Sequence, residues 1–313
     1  MTRRIKFGVQ AAPQNTSWPE LREMWKLIES LGYDTAWTFD HFFPILSDPS
    51  GPCFEGWISL TALAAETSRI QLGVLVTGNT YRHPAVLAKM AATLDHISGG
   101  RLIMGIGGAW FEMEHNAYGI PFHTTAERIN RLDEAAEMIK RLWSEKQVTF
   151  EGRYYQLKDA YCEPKPLQKP RPPIMIGGSG EKLMLRVVAK HADQWNTFGS
   201  PELFRHKIDV LRGHCDAVGR NFDEIEVSWA GATLVTDSRD EKNELLRRWA
   251  VEFGVTPEQY AKGALVGSAS EVRDRIAQFI DVGVTHFIPI ANAPFNQASI
   301  RRFAEEVVPA FRS

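Results

Sequence analysis

The chain has 313 residues, of which 44% are hydrophobic and 24% are charged, and its net charge is −2. This composition is typical of a globular protein and excludes the disordered and membrane classes. No dense Lys/Arg stripe is present, so nucleic acid is not an expected partner. The first ten residues, MTRRIKFGVQ, hold no apolar run of signal-peptide length, and no stretch is long enough to span a membrane, so we expect a cytoplasmic protein without membrane association.

Short strand-like runs alternate with longer helical patterns along the whole chain. This alternation indicates repeated βα units around a parallel sheet. Eight strands are predicted, and eight is the number that closes a barrel. They begin at Ile5, Thr35, Ile70, Leu102, Pro173, Gln194, Ile225 and His286. The sequence therefore predicts an α/β fold, a (β/α)8 TIM barrel, as one domain over residues 1–313.

Two regions interrupt the alternation. Residues 144–172 are rich in Pro, Tyr and charge, and VTFEGRYYQL within them predicts a β-hairpin with Glu-Gly at its turn. This region is an insertion between the fourth and fifth βα units. Residues 238–266 are charged and helical and precede the last unit. We expect both additions to shape the substrate mouth or an oligomer contact.

Polar residues follow the second and third predicted strands, at the end where barrel active sites lie. Asp40 and His41 stand between Phe39 and Phe42. Their position favours a functional pair, and the alternative is a loop-fixing Asp beside a solvated His. After the third strand, the run Thr77-Gly78-Asn79 suits the close approach of a flat ligand. The alternative there is an ordinary loop, with Arg82 and His83 in solvent and Pro84 starting a helix.

The fourth and fifth strands end in glycine. The fourth leaves as GIGGAWFEMEH, where Trp110 replaces the third glycine of a dinucleotide fingerprint, so we reject a Rossmann site and predict a glycine-walled slot capped by Trp110. Glu112, Glu114 and His115 are expected on a solvated helix face rather than around a metal. The fifth strand runs through residues 177–180, GGSG, into a helix, which predicts a phosphate site at the helix N-terminus or, alternatively, a tight turn without ligand.

The sequence offers little chemistry of its own. Three cysteines, Cys53, Cys162 and Cys215, lie far apart without a CxxC pair, so each is expected to be a reduced thiol and no metal site is predicted. No Ser-His-Asp order or close carboxylate pair stands out. We therefore expect a bound cofactor to carry the reaction.

Four segments carry a family resemblance: TFDHFFP, LGVLVTGNTYRHPAVLAKMAATLDHISGGRLIMGIGGAW, EHNAYGIPF and EPKPLQKPRPPIMIGGSGEKLMLRVVAKHADQWN. Together they resemble the bacterial luciferase-like flavin superfamily, and within it the oxidoreductases that use the deazaflavin coenzyme F420. The resemblance implies a barrel that forms a homodimer and holds the deazaflavin at the C-terminal mouth. It also implies a non-prolyl cis peptide on the third strand, around Val74 and Leu75.

The resemblance assigns roles to residues of this chain. Asp40 would contact the deazaflavin, and His41 would lie near its reactive carbon or the substrate. Cofactor-binding positions implied in this way are Asp40, Val74, Leu75, Thr77, Gly107, Gly108, Gly177, Gly178 and Ser179. Lys182 would meet the anionic tail of the coenzyme, or else be solvated.

One position departs from the family pattern. The sugar-phosphate and alcohol dehydrogenases of the superfamily carry a glutamate where this chain has Trp110. This departure argues against oxidation of a sugar phosphate or a simple alcohol by this protein. A hydrophobic substrate pocket of His41, Phe42 and Trp110 favours reduction of an activated C=C, C=N or C=O bond in a small molecule. An FMN-dependent luciferase-like monooxygenase is the alternative, and a non-catalytic flavin-binding barrel is a further one.

Overall fold

A computed structural model describes residues 4–312 of the chain. The strands are β1 (Lys6–Ala11), β2 (Thr35–Thr38), β3 (Gln71–Val74), β4 (Thr77–Gly78), β5 (Leu102–Gly107), β6 (Val148–Glu151), β7 (Gln156–Ala160), β8 (Ile174–Gly177), β9 (Gln194–Thr197), β10 (Glu226–Val235), β11 (Leu265–Gly267) and β12 (His286–Ala291). Eight of them, β1, β2, β3, β5, β8, β9, β10 and β12, are the strands that the sequence predicted.

The helices lie between the strands in the same alternating order. They are α1 (Trp18–Ser30), α2 (Gly56–Glu66), α3 (Pro84–Ile97), α4 (Glu112–Tyr118), α5 (Thr125–Ser144), α6 (Met184–His191), α7 (Pro201–Val218), α8 (Arg239–Phe253), α9 (Pro257–Ala261), α10 (Ala269–Asp281) and α11 (Gln297–Arg302). A π-helical turn (Phe303–Val307) and a 3₁₀ turn (Val308–Phe311) follow α11. The boundaries of the α-helices follow sequence signals. At α7, for example, the Ser200 side chain caps the first turn and Gly219 ends the helix at φ +69.

The eight strands form a closed parallel barrel. Neighbours around the ring are β1, β2, β3, β5, β8, β9, β10 and β12, and β12 pairs back with β1. The predicted (β/α)8 TIM barrel is confirmed. Inside the ring, a small apolar cluster fills the barrel, and its buried members are Trp37, Ile103, Met175, Ala230 and Ile288. A much larger cluster packs the outer strand faces against the helices, so hydrophobic burial holds both layers together.

The two predicted additions occupy the expected stretches of chain. β6 and β7 form an antiparallel hairpin between α5 and β8, with Gly152 directly after β6. Residues 238–266 contain α8 and α9 and reach β11, which pairs in parallel with the long strand β10. Among the described helices, none is both long and apolar enough to cross a bilayer.

One glycine of the barrel wall has no room for a side chain. A Cβ atom at Gly105 would overlap the backbone carbonyl oxygen of Val74 on the neighbouring part of the sheet. Gly213, on an exposed turn of α7, has open space around the same position. Replacing glycine with alanine is therefore expected to change the free energy of unfolding in opposite directions at the two positions.

We expect Gly105→Ala to lower the free energy of unfolding by about 3 kcal/mol or more, because backbone must shift to admit the methyl group. Gly213→Ala should raise it by about 0.5–1 kcal/mol, because alanine is the better helix former. Urea denaturation of both variants measures the difference. Equal stability of the two variants would contradict the close approach of β3 and β5.

Candidate active site

His41 lies at the C-terminal mouth of the barrel, in the loop after β2. Its Nδ1 atom is 2.9 Å from Oε2 of Glu114, and only 9% of the residue is exposed. Phe39, Trp110 and Phe111 surround the imidazole edge-to-face, with ring centroids 5.0, 5.6 and 5.8 Å away. Because the carboxylate accepts from Nδ1–H, the tautomer is fixed and Nε2 is left free of any bond to a described residue. Nε2 is thus the ring nitrogen left available to a ligand.

Glu114 fixes this orientation from a fully buried position on α4. Its carboxylate also accepts hydrogen bonds from the backbone N–H of Phe42 and from the hydroxyl of Tyr81. Burial by itself raises the pKa of Glu114, but the hydrogen bonds from His41, Phe42 and Tyr81 outweigh it and hold the pKa below its usual range. Burial and the Glu114 charge raise the pKa of Tyr81, so that phenol stays a donor.

The prediction of a solvated face for Glu112, Glu114 and His115 is wrong for two of the three. Glu112 is exposed, whereas Glu114 and His115 are fully buried. His115 accepts from the Thr80 hydroxyl at Nε2 (2.7 Å) and donates to the Phe111 carbonyl at Nδ1 (2.8 Å). The missed signal is the spacing of Phe111, Glu114, His115 and Tyr118, which places them on one helical face.

Asp40, next to His41, forms an ion pair with Arg82, which the sequence analysis placed in solvent under its alternative interpretation. Both of its carboxylate oxygens accept from the Arg82 guanidinium, at 2.5 and 2.9 Å, and Arg82 also contacts Glu55. The Asp40 side chain has no exposed surface. Burial raises the pKa of Asp40, and the Arg82 guanidinium opposes that rise. This geometry favours a role for Asp40 in positioning the His41 loop.

Aromatic side chains form a rim beside His41. Phe42 packs between Tyr81 and Tyr118, with both ring centroids 4.8 Å away. Trp110 is 55% exposed and packs on Phe111, 5.0 Å between centroids. The predicted pocket residues His41, Phe42 and Trp110 therefore lie on one side of the mouth, and Trp110 keeps an apolar face in solvent, where a ligand can reach it.

The third strand is interrupted by the non-prolyl cis peptide that the resemblance implied. It joins Leu75 to Val76, one residue later than expected, between β3 and β4. Val74 is fully buried in the cluster between strands and helices, and Leu75 packs on the cluster inside the barrel. Val74 therefore lies away from the mouth, whereas Val76, which the sequence analysis did not name, packs against Gly107 and Gly177.

Val76 and two glycines form a cradle at the mouth. A Cβ atom at Gly107 would lie 2.9 Å, and one at Gly177 3.0 Å, from Cγ2 of Val76. A side chain at either position would press on Val76, so glycine is needed where Val76 packs over β5 and β8. Gly108 follows directly, and its carbonyl accepts from Nε of Arg128.

Unpaired polar atoms lie around this cradle. Oδ1 of Asn79 and Oγ1 of Thr197, the last residue of β9, are buried side-chain atoms without a hydrogen-bond partner in the described residues. Thr77 is fully buried, and its hydroxyl accepts from Trp57 Nε1 at 2.8 Å. Buried polar groups are normally paired, so orphaned atoms beside this cradle indicate a place for a polar ligand.

The glycine loop after β8 differs in one respect from its prediction. Three residues of turn separate Gly180 from α6, so the loop does not open directly into the helix. Gly178, at φ +140, donates its N–H to the Asn196 carbonyl. Among the described residues, the N–H groups of Ser179 and Gly180 donate to no backbone carbonyl, and Lys182 is exposed nearby. An anion site at Gly177, Gly178 and Ser179 stays a prediction.

Other chemistries find no support around the mouth. Within residues 4–312, no group of three or more His, Cys, Asp or Glu side chains is arranged to hold a metal ion. Cys53 lies near the His41 carbonyl, and burial, followed by the Glu114 charge, raises its pKa to about 12. The Cys53 thiol is therefore protonated at neutral pH and a poor nucleophile.

Replacing Glu114 with Gln tests the buried hydrogen-bond centre. We expect Glu114→Gln to lower the free energy of unfolding by about 1.5–3 kcal/mol near pH 7, because bonds to a charged acceptor are lost. The folded-state pKa of Glu114 is below its usual value, so this stabilisation is present above pH 4.5 and is lost as the pH falls. Denaturation of both proteins at pH 7 and pH 4 should show that the difference in free energy of unfolding between wild type and Glu114→Gln is smaller at pH 4. A larger difference at pH 4 would contradict an ionised Glu114 in the folded protein.

Comparison with known proteins agrees with this arrangement. Residues 4–261 match the protein family described as "Luciferase-like monooxygenase". The chain belongs to this family. The predicted superfamily is therefore confirmed, and the match covers the barrel mouth together with the hairpin insertion.

Curated relatives of this luciferase-like chain extend over almost its full length. The F420-dependent glucose-6-phosphate dehydrogenase of Kineococcus radiotolerans is 30% identical, over 98% of this chain and 97% of the relative. That of Microbacterium testaceum is 29% identical, over 100% and 99%. Among solved structures, an F420-dependent secondary alcohol dehydrogenase with an F420-acetone adduct superimposes with TM-score 0.89 at 23% identity, covering 99% of this chain and 100% of that one.

Proposed function

We propose that this protein is an F420-dependent oxidoreductase that transfers a hydride between the deazaflavin and a small hydrophobic organic substrate with an activated C=C, C=N or C=O bond. The observation that carries the proposal is the placement of His41, held at Nδ1 by buried Glu114, at the same barrel mouth as a cradle with unpaired polar atoms. Full-length relatives named for F420 support the choice of coenzyme.

The residues at the mouth fit a flat, polar-edged coenzyme. Val76, Gly107 and Gly177 form an apolar surface at the strand ends, and Asn79 and Thr197 offer unpaired acceptors. Gly108 would lie along the chain that leaves the ring, and Gly177, Gly178 and Ser179 would hold the phosphate with backbone N–H groups. Reduced F420 supplies a hydride and reacts poorly with oxygen, so the protein need not supply oxygen chemistry.

The chain's own contribution is proton transfer, orientation and exclusion of water. His41 donates or accepts a proton at Nε2, while the Glu114 carboxylate stabilises the imidazolium through Nδ1. The Asp40–Arg82 pair holds the loop that carries His41. Phe42, Phe111 and Trp110 line the side of the mouth next to His41 and keep water from the reacting atoms.

The substrate class follows from Trp110. The half-exposed indole stands where the family's sugar-phosphate dehydrogenases carry a glutamate, and its nearest neighbours are aromatic. An apolar side chain at the mouth offers no acceptor for a sugar hydroxyl, so it favours a hydrophobic substrate. The cytoplasmic location expected from the sequence and the homodimer implied by the family resemblance stay predictions.

The test is an anaerobic screen in which the purified protein and reduced F420 meet a panel of enones, imines and ketones, with glucose 6-phosphate and oxidised F420 as the comparison reaction. We expect at least one panel member to oxidise reduced F420 faster than the uncatalysed rate. Turnover of glucose 6-phosphate alone would overturn the substrate class. In a separate aerobic assay, oxygen consumption with reduced FMN, and none with reduced F420, would move the protein to the FMN monooxygenases.

A further inference from the structure

We infer that Asn79 is a coenzyme-contacting residue whose side-chain oxygen accepts a hydrogen bond from the coenzyme, and that Tyr155 of the insertion hairpin positions it. This inference rests on the proposed function, because it names a residue pair of the same site. It gives the insertion a task at the barrel mouth.

Asn79 is buried with half of its amide unused. Only 1% of the residue is exposed, and its backbone N–H donates to the Gly107 carbonyl at 2.9 Å, which fixes it beside the cradle. Its Nδ2 donates to the Tyr155 hydroxyl at 3.2 Å, while Oδ1 has no partner. A buried amide oxygen without a partner is unfavourable unless a ligand or a water satisfies it.

Tyr155 is held in place from a different part of the fold. The Glu134 carboxylate on α5 accepts from the backbone N–H groups of Arg153, Tyr154 and Tyr155, at 2.9, 2.9 and 3.2 Å. The Tyr155 ring also packs edge-to-face on His83, with centroids 5.5 Å apart. The turn of the insertion is thereby held against α5, and the Tyr155 hydroxyl extends to Asn79 in the loop after β4.

The bond to Tyr155 decides which atom of the Asn79 amide faces a ligand. With Nδ2 engaged, Oδ1, an acceptor, is the amide atom left for a ligand. The matching ligand group is an N–H or O–H donor, and a deazaflavin carries both, on its pyrimidine ring and on its ribityl chain. Without the Tyr155 hydroxyl, the Asn79 amide is free to rotate and the acceptor is no longer fixed.

Anaerobic fluorescence titration with oxidised F420 measures the contribution of each residue to binding. We expect Asn79→Ala to raise the Kd about three- to tenfold, the value of one hydrogen bond. Tyr155→Phe should raise it about two- to fivefold, and should add nothing in the Asn79→Ala background, because Tyr155 acts through Asn79. Tyr154→Phe, in the same turn and stacked on Arg131 at 4.7 Å, is the matched control and should leave the Kd within about twofold.

The outcomes separate this inference from the proposed function. If the wild-type protein binds F420 and Asn79→Ala binds it equally well, the inference is wrong and the proposed function stands. If the wild-type protein does not bind F420, the proposed function is wrong. Additive effects of Tyr155→Phe and Asn79→Ala would overturn the positioning role of Tyr155. Thermal melts without coenzyme verify folding, and Asn79→Ser replaces Asn79→Ala if the alanine variant does not fold.

Discussion

Replacing His41 with alanine is expected to lower kcat by about 10²- to 10⁴-fold, the usual contribution of a positioned acid or base. The Kd for F420 should change by less than about threefold, because the cradle at Val76, Gly107 and Gly177 is untouched. The reason is geometric: Nε2 of His41 is the free nitrogen of a ring whose other nitrogen is held by Glu114. Steady-state rates and coenzyme titration on the same preparation measure both quantities.

His96 provides the control for this variant. It is exposed near the end of α3, where it contacts the Lys165 carbonyl away from the mouth. His96→Ala should keep kcat within about twofold of the wild-type value. Equal losses of turnover and coenzyme affinity in His41→Ala would make His41 a binding residue and defeat the proton-transfer role.

Replacing Arg82 with methionine is expected to destabilise the fold by about 3–5 kcal/mol, because it leaves the buried Asp40 carboxylate without its guanidinium partner. Adding Asp40→Asn to Arg82→Met should restore part of this loss, since the uncompensated charge is then gone. Arg22→Met is the matched control, because the Arg22–Glu66 pair is largely exposed and should contribute about 1 kcal/mol or less.

The Arg82→Met variant should also respond to pH with a defined sign. Burial already raises the pKa of Asp40 in the presence of Arg82, and removing the guanidinium raises it further. The folded variant then binds a proton that the unfolded chain releases, so its stability falls as the pH rises through the folded-state pKa. Urea denaturation between pH 5 and 8 should show that the loss of stability of Arg82→Met, relative to the wild type, is smaller at pH 5 than at pH 8. A larger loss at pH 5 would contradict a buried, unpaired Asp40 carboxylate.

The barrel could be predicted because its signals are local and repeated. Every barrel strand is a short apolar run followed by a helical pattern, and caps such as Ser200 and Gly219 mark where α7 begins and ends. The hairpin of the insertion was equally local, with Gly152 at its turn. These features depend on near neighbours in sequence, which a single chain displays directly.

The site could be predicted only where residues follow a strand end. His41, Phe42, Trp110 and Gly107 were expected at the mouth, and the structure brings them together there. The bond between Glu114 and His41 spans 73 positions, so no local pattern could reveal it.

Other misses have similar causes. The Asp40–Arg82 pair spans 42 positions and joins two different loops. Because no pattern near Arg82 in the sequence indicates its partner, the sequence alone allows a solvated Arg82 as an alternative. The resemblance named Val74, whereas the residue packed on Gly107 at the mouth is Val76, two positions later and beyond the end of β3. Alignment by resemblance cannot resolve one residue where the strand is interrupted.

The most direct test of the central claim is an anaerobic titration of the purified protein with oxidised F420 and, separately, with FMN, followed by absorbance and fluorescence. The account predicts saturable binding of F420 and far weaker binding of FMN. Selective binding of FMN, or binding of neither compound, would contradict the assignment of this barrel mouth to a deazaflavin.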